Sequence, residues 1–188
     1  MGVPISLGYL AVAFTMGITA RNAGLSAVQA TLTSFLVNAS AGQYAAFTLM
    51  AAQGGYLEMA ILELVTNARY LLMSCSLSQK LSPKTKLWQR PTVGFAVTDE
   101  MFGMAIAEPE EVSPWYYFGM MSIAIPGWSL GTFLGTTVGN ILPANVVSAL
   151  SVGLYGMFLA VIIPAARKSK LILGVVAASM AASFLLES

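Results

Sequence analysis

Long apolar runs separated by short polar breaks set the pattern of this chain. A helix needs about 20 mainly apolar residues to cross the hydrocarbon core of a bilayer, and seven runs approach that length. Val3 to Ala20 is first, closed by Arg21, Asn22 and Gly24; Leu25 to Ala52 is long and interrupted, ending at Gln53-Gly54-Gly55; Tyr56 to Leu77 is third. Leu87 to Ala107 carries Asp99 and Glu100 inside it, Trp115 to Leu142 is again long, Val146 to Pro164 is sixth, and Leu171 to Leu186 closes the series. None shows the period-2 alternation of a barrel strand, and an isolated strand would leave backbone groups unpaired in lipid. The pattern predicts an all-α, polytopic transmembrane bundle of six to seven hydrophobic segments, some discontinuous or re-entrant, within a single domain over 1–188.

Charge refines the topology. Lys80, Lys84, Lys86 and Arg90 form one basic loop, Arg167, Lys168 and Lys170 form another, and Glu108, Glu110 and Glu111 lie between them. The positive-inside rule puts both basic loops in the cytoplasm, yet three complete spans between them would put them on opposite sides. Either one of the three is re-entrant or otherwise incomplete, with the short, acid-bearing stretch from Thr92 to Ala107 the best candidate, or one loop breaks the rule. The run lengths also fit a competing arrangement, an inverted three-plus-three repeat of 1–78 and 91–164 with a terminal helix at 171–187, which places the second basic loop outside.

Composition agrees with a lipid environment. The chain is 57% apolar and 9% charged, with a mean hydropathy of +0.76, against about 25% charged residues in a soluble domain. No histidine is present, which excludes imidazole bases, His-ligated metals and Ser-His or Cys-His nucleophile pairs, and neither enzymatic activity nor a metal or cofactor is expected. Cys75 cannot form an internal disulfide and reads as an inert packed thiol. A net charge of +1 argues against a nucleic-acid partner. The stretch from Val3 lacks the basic n-region of a cleavable signal peptide.

Ionisable groups at membrane depth are the strongest chemical signal, because each costs roughly 2.5–3.5 kcal/mol at a helix centre and needs a partner or water. Glu63, Asn67 and Arg69 lie in the third run, with Glu58 nearer its interfacial start. Glu63 and Asn67, four apart, share a helical face, whereas Arg69 lies about 160° from Asn67. Their bland reading is a structural ion pair or snorkelling. In the fourth run Thr98 precedes Asp99 and Glu100, which reads as the N-cap and acidic first turn of a helix. A helix that starts at mid-membrane is itself a device by which transporters bind substrate, and either acid could carry a proton. Asn38-Ala39-Ser40-Ala41-Gly42-Gln43-Tyr44 interrupts the second run with small and amide residues, either exposing backbone to a ligand or serving helix packing. Gly127, Gly131, Gly135 and Gly139, four apart after Pro126, read as a stripe for close helix contact. Gly127-Trp128-Ser129-Leu130-Gly131 matches the nucleophile-elbow pattern, but without histidine it carries no chemistry.

Asn67-Ala68-Arg69-Tyr70, the Ser76-Leu77-Ser78-Gln79-Lys80-Leu81 stretch and Thr98-Asp99-Glu100 together resemble the AzlC family, the large subunits of bacterial branched-chain amino acid permeases. Gly8-Tyr9, Gln43, Trp128, Gly131 and Gly135 add to the likeness, which covers nearly the whole chain. The resemblance implies a proton-motive-force-dependent carrier in the bacterial inner membrane, usually an exporter of valine, leucine, isoleucine and sometimes methionine, working with a small AzlD-type membrane subunit. Family members usually have a longer basic N-terminal segment and continue past Leu186-Glu187-Ser188, so a shortened or incomplete member is expected; Ser40 stands where glycine is common. On this reading Ser40, Gln43, Asn67 and Arg69 bind the amino acid, with Arg69 pairing to its carboxylate or to an acid of the fourth run, while Asp99, Glu100 and Glu63 couple protons. Two other functions stay open: a non-transporting assembly or regulatory subunit, and a passive channel for small neutral solutes.

Overall fold

The computed structural model describes residues 2–141, 145–146, 163, 166–167 and 170–187. The described residues form helices and no β-strand, and they divide into two compact units, 1–153 and 154–188. The first contains α1 (Gly2–Asn22), α2 (Ala27–Leu36), α3 (Ser40–Ala51), α4 (Tyr56–Lys80), α5 (Gln89–Phe95), α6 (Asp99–Ala107) and α7 (Pro114–Val138), which runs into a 3-10 turn at Gly139–Ile141. The second is described over one helix, α8 (Lys170–Glu187). Most of the sixth apolar run, and Lys168 of the second basic loop, fall outside the described residues.

The centre of the first unit is the packing of α1 on α7. Building a Cβ on Gly127, Gly131, Gly135 or Gly139 brings it against Ser6, Leu10, Phe14 and Ile18 respectively, and one on Gly17 would strike the backbone of Thr132 and Thr136. The partners advance in step, four residues at a time on each helix, so the two helices run parallel with their backbones almost in contact. The glycine stripe is thus a packing device, as its spacing predicts. Hydrogen bonds close the far end: Thr136 Oγ1 donates to Gly17 O (3.1 Å), and Arg21 Nη1 to Thr136 O (2.9 Å) and Thr137 O (3.3 Å). Arg21 therefore satisfies carbonyls that the end of α7 would otherwise leave bare.

Local signals set the helix ends. Gly24, at φ +83°, terminates α1 in a Schellman turn, with Leu25 N bonded to Ala20 O and Gly24 N to Arg21 O, a conformation glycine adopts without steric cost. Ser26 and Gln29 then form a reciprocal capping box that starts α2. The second run does break, but at Val37-Asn38-Ala39, whereas Ser40 to Tyr44 already belong to α3.

Two loops meet where α4 ends and α7 begins. Val112 N donates to Lys80 O (2.9 Å) and Ser82 N to Val112 O (3.2 Å), around an isolated bridge between Leu81 and Val112. Leaving this point, the chain forms α5, breaks at Ala96-Val97-Thr98, forms α6 and comes back to it. Seven and nine residues make helices only about 10 and 14 Å long, well under the roughly 30 Å hydrocarbon core. The pair is too short to make one straight span, and it brings the basic and acidic loops to one end of the unit.

Of the six to seven expected segments, α1 alone among the described helices is long and apolar enough, by length and composition, to cross a membrane. In α8 the apolar stretch Leu173–Ala182 is shorter, and the other helices of the first unit fall short for identifiable reasons. α4 has 25 residues but carries Glu58, Glu63, Asn67 and Arg69, α7 has 25 but is diluted by glycine, serine, threonine and tryptophan, and the second and fourth runs are each split into two short helices.

Candidate functional site

Thr98 caps α6 by accepting from Met101 N (3.3 Å), and this starts a helix with two acids in its first turn at the break between α5 and α6. Each acid has its own partner. Asp99 Oδ2 lies 3.0 Å from Arg69 Nη2 of α4, with the two side chains 18% and 38% exposed. Glu100 Oε2 accepts from the hydroxyl of Tyr9 on α1 at 2.6 Å, and the same hydroxyl lies 2.5 Å from Thr98 Oγ1. Arg69 also donates to Tyr70 OH (3.3 Å) and lies 5.0 Å from that ring's centre, a cation–π contact. One cation and two carboxylates thus sit among two tyrosines where α1, α4 and α6 converge.

A second polar group is attached through an aromatic contact. Tyr9 meets Trp128 edge to face with ring centres 5.5 Å apart. Trp128 Nε1 donates to Gln43 Oε1 (3.0 Å), the Gln43 amide donates to Ser34 Oγ, and Ser34 bonds Thr132 Oγ1 (2.7 Å). Gln43, Ser34 and Thr132 are 1% exposed or less. Because both ends of its amide are occupied by protein, Gln43 joins α2, α3 and α7, and a satisfied network of this kind fixes a unique packing.

Glu63 and Asn67 share a face of α4, as their spacing predicts: Asn67 Nδ2 donates to Glu63 Oε2 at 2.6 Å. That face lies on α3, where a Cβ on Gly42 would come within 2.8 Å of both side chains. Arg69, on the other side of α4, belongs to the α6 group, so Glu63 and Asn67 form one cluster and Arg69, Asp99 and Glu100 another. Ser40 stands partly exposed in the first turn of α3. Several buried polar atoms have no protein partner: Glu63 Oε1, Asn67 Oδ1, Arg69 Nε, Ser129 Oγ and both polar atoms of Asn38 at the α2–α3 break.

Tyr9, Ser34, Trp128 and Thr132 were not among the expected site residues. Their available signal was a hydroxyl or indole N–H within an apolar helix, where a donor must find an acceptor. Cys75 departs from expectation: it is an exposed free thiol, because Leu77 is the one buried residue of α4. No metal-binding cluster occurs among the described residues.

The family described as "AzlC protein" matches residues 4–142. An uncharacterized membrane protein of Archaeoglobus fulgidus is 34% identical over 163 residues, covering 86% of this chain and 71% of the relative. One from Helicobacter pylori strain 26695 is 30% identical over 141 residues, 73% of this chain and 61% of the relative. Inner membrane protein YgaZ of Escherichia coli K12 is 30% identical over 143 residues, 73% of this chain and 56% of its own length. No solved structure matches the chain.

Proposed function

Since the chain belongs to the AzlC family, whose relatives here are named as membrane proteins, we propose that it is the transporting subunit of a proton-coupled exporter of branched-chain amino acids. It would lie in the bacterial inner membrane as a multi-pass protein and carry valine, leucine, isoleucine and sometimes methionine, together with a small AzlD-type subunit. The observation that carries this reading is the partly exposed Arg69–Asp99 ion pair at the start of a mid-unit helix.

An amino acid zwitterion complements an ion pair. By opening it, the substrate sets its carboxylate on Arg69 and its ammonium on Asp99, exchanging one charge pair for two. Asp99 can hold an ammonium only while ionised, so a proton arriving there expels the substrate. Proton and amino acid then compete for one carboxylate, which is the condition for driving export with an inward proton gradient. Glu100, held by Tyr9, is the second carboxylate in reach of the same proton. The free acceptors of Glu63 and Asn67, with Ser40 and the unpaired amide of Asn38 near the other helix break, offer a polar stretch for the substrate's passage, and Gln43 acts as a positioning residue.

The test is pH-gradient-driven efflux of labelled valine, leucine and methionine from proteoliposomes holding both subunits. Asp99→Asn is expected to insert normally and lose the gradient-driven flux; wild-type flux removes Asp99 from the mechanism. A second reading, a non-transporting assembly subunit, draws on α4, which has one buried residue in 25 and so has a long face open to a partner. Loss of co-purification with the small subunit in Arg69→Ala, with flux through any residual complex unchanged, favours that reading.

A further inference from the structure

The end of the first unit where the basic and acidic loops meet contains a cleft of about 560 Å³ that shares no lining residue with the Arg69–Asp99 pair and is independent of what the protein carries. Lys84 and Lys86 line it from one loop and Glu110 and Glu111 from the other. These opposite charges do not pair: among the described residues the one ion pair within 4 Å is Arg69–Asp99. Thr85 also lines the cleft, and its Oγ1 is buried without a partner. The cleft thus has a cationic side and an anionic side held apart, with an unused hydroxyl between the lysines.

Trp88 and Trp115 form part of its wall, and the same two residues line a neighbouring groove of about 440 Å³ whose exposed lining is wholly apolar. Phe118 joins them, stacked on Trp88 with ring centres 5.9 Å apart and edge-on to Trp115 at 5.5 Å. The groove continues along α7 past Met121 and Ile125 to Phe35 and Phe95. Tryptophans concentrate at the level of the lipid headgroups, so a charged cleft opening across two of them onto an apolar groove follows the layering of a bilayer leaflet.

We infer that this cleft and groove form a binding site for a phospholipid with a zwitterionic, primary-ammonium headgroup of the phosphoethanolamine type. The phosphate lies by Lys84, Lys86 and the Thr85 hydroxyl, the ammonium by Glu110 and Glu111, and an acyl chain in the groove beside Phe118. A purely anionic headgroup would satisfy the lysines and leave the two glutamates repelling it. A choline headgroup has no N–H to donate to those carboxylates.

The test is native mass spectrometry of the full chain released from nanodiscs of equal parts phosphatidylethanolamine, phosphatidylglycerol and phosphatidylcholine. One phosphatidylethanolamine is expected to be retained in preference to the other two. Lys84→Glu with Lys86→Glu should lower its retention by roughly fivefold per lysine, and Glu110→Gln with Glu111→Gln should abolish the preference over phosphatidylglycerol. All four residues are exposed in loops, and circular dichroism checks that the variants stay folded. Soluble phosphoethanolamine should not displace the lipid, because it lacks the chain that fills the groove; displacement at equal concentration refutes the joined site. Preference for phosphatidylglycerol, or retention unchanged in both charge variants, overturns the proposal. So does loss of the lipid when the small subunit is bound, which would make the groove that subunit's seat.

Discussion

Replacing Gly135 by alanine tests whether α1 and α7 pack with their backbones in contact. The new methyl would overlap the Phe14 carbonyl oxygen and come within 2.8 Å of its carbonyl carbon and 3.0 Å of its Cα. All three are backbone atoms and cannot rotate away, so relief requires the helices to separate by about 1 Å. A gap of that size forfeits roughly a quarter to a half of each dispersion contact across it, and overpacking costs about 1–3 kcal/mol. Rigid partners put this site at about 3 kcal/mol, from which the better helix propensity of alanine returns about 1 kcal/mol. The net loss of about 2 kcal/mol corresponds to a fall of roughly 4–8 °C in melting temperature for a chain of this size. Tryptophan fluorescence in detergent reads it, because Trp128 lies in this interface. Two controls share the helix or its end. Gly119→Ala meets nothing within 4 Å and should melt at or slightly above wild type, and Gly139→Ala meets only the movable side chain of Ile18 and should lose less. If Gly135→Ala melts with Gly119→Ala, the close parallel packing is wrong, and with it the placement of Tyr9 against Trp128.

Gln43→Leu orphans the indole N–H of Trp128 and one bond of Ser34, and should lower stability by about 1–3 kcal/mol for the stranded donor, read as a lower melting temperature; an unchanged melt shows the network to be dispensable. Tyr9→Phe keeps the ring against Trp128 but removes the O–H given to Glu100, a bond to a charged acceptor that contributes about 1.5–3 kcal/mol. Lower stability and a changed pH profile of flux are expected, and wild-type values for both would leave that hydroxyl without a role. Cys75, exposed on α4, should react with a membrane-permeant maleimide and be protected by co-expressed small subunit if α4 is its docking helix; undiminished labelling in the complex puts the partner elsewhere.

What the chain discloses in advance depends on how far each constraint reaches along it. Helix breaks are short-range, and so the interruption of the second run, the Thr98 cap and the glycine stripe were all readable from neighbouring residues. Even there the break fell at Val37-Asn38-Ala39, because Ser40 to Tyr44 are compatible with a helix once Gly42 can lie against Glu63 and Asn67. The Glu63–Asn67 bond was readable too, being one turn of one helix. Pairings between distant segments were not. Arg69 had two acids and a substrate as rival partners, and the choice of Asp99 depends on α6 returning beside α4, which the Lys80–Val112 and Ser82–Val112 bonds impose. Gln43 shows the same limit: an amide near a helix break has the same local signature whether it faces a ligand or, as here, bonds Ser34 and Trp128, 9 and 85 residues away. A polar residue in an apolar helix therefore establishes that a partner exists, and only the meeting of helices says which. Buried atoms that the protein leaves unpartnered, on Asn38, Glu63, Asn67 and Arg69 among others, are where the proposed substrate would have a hydrogen bond to make.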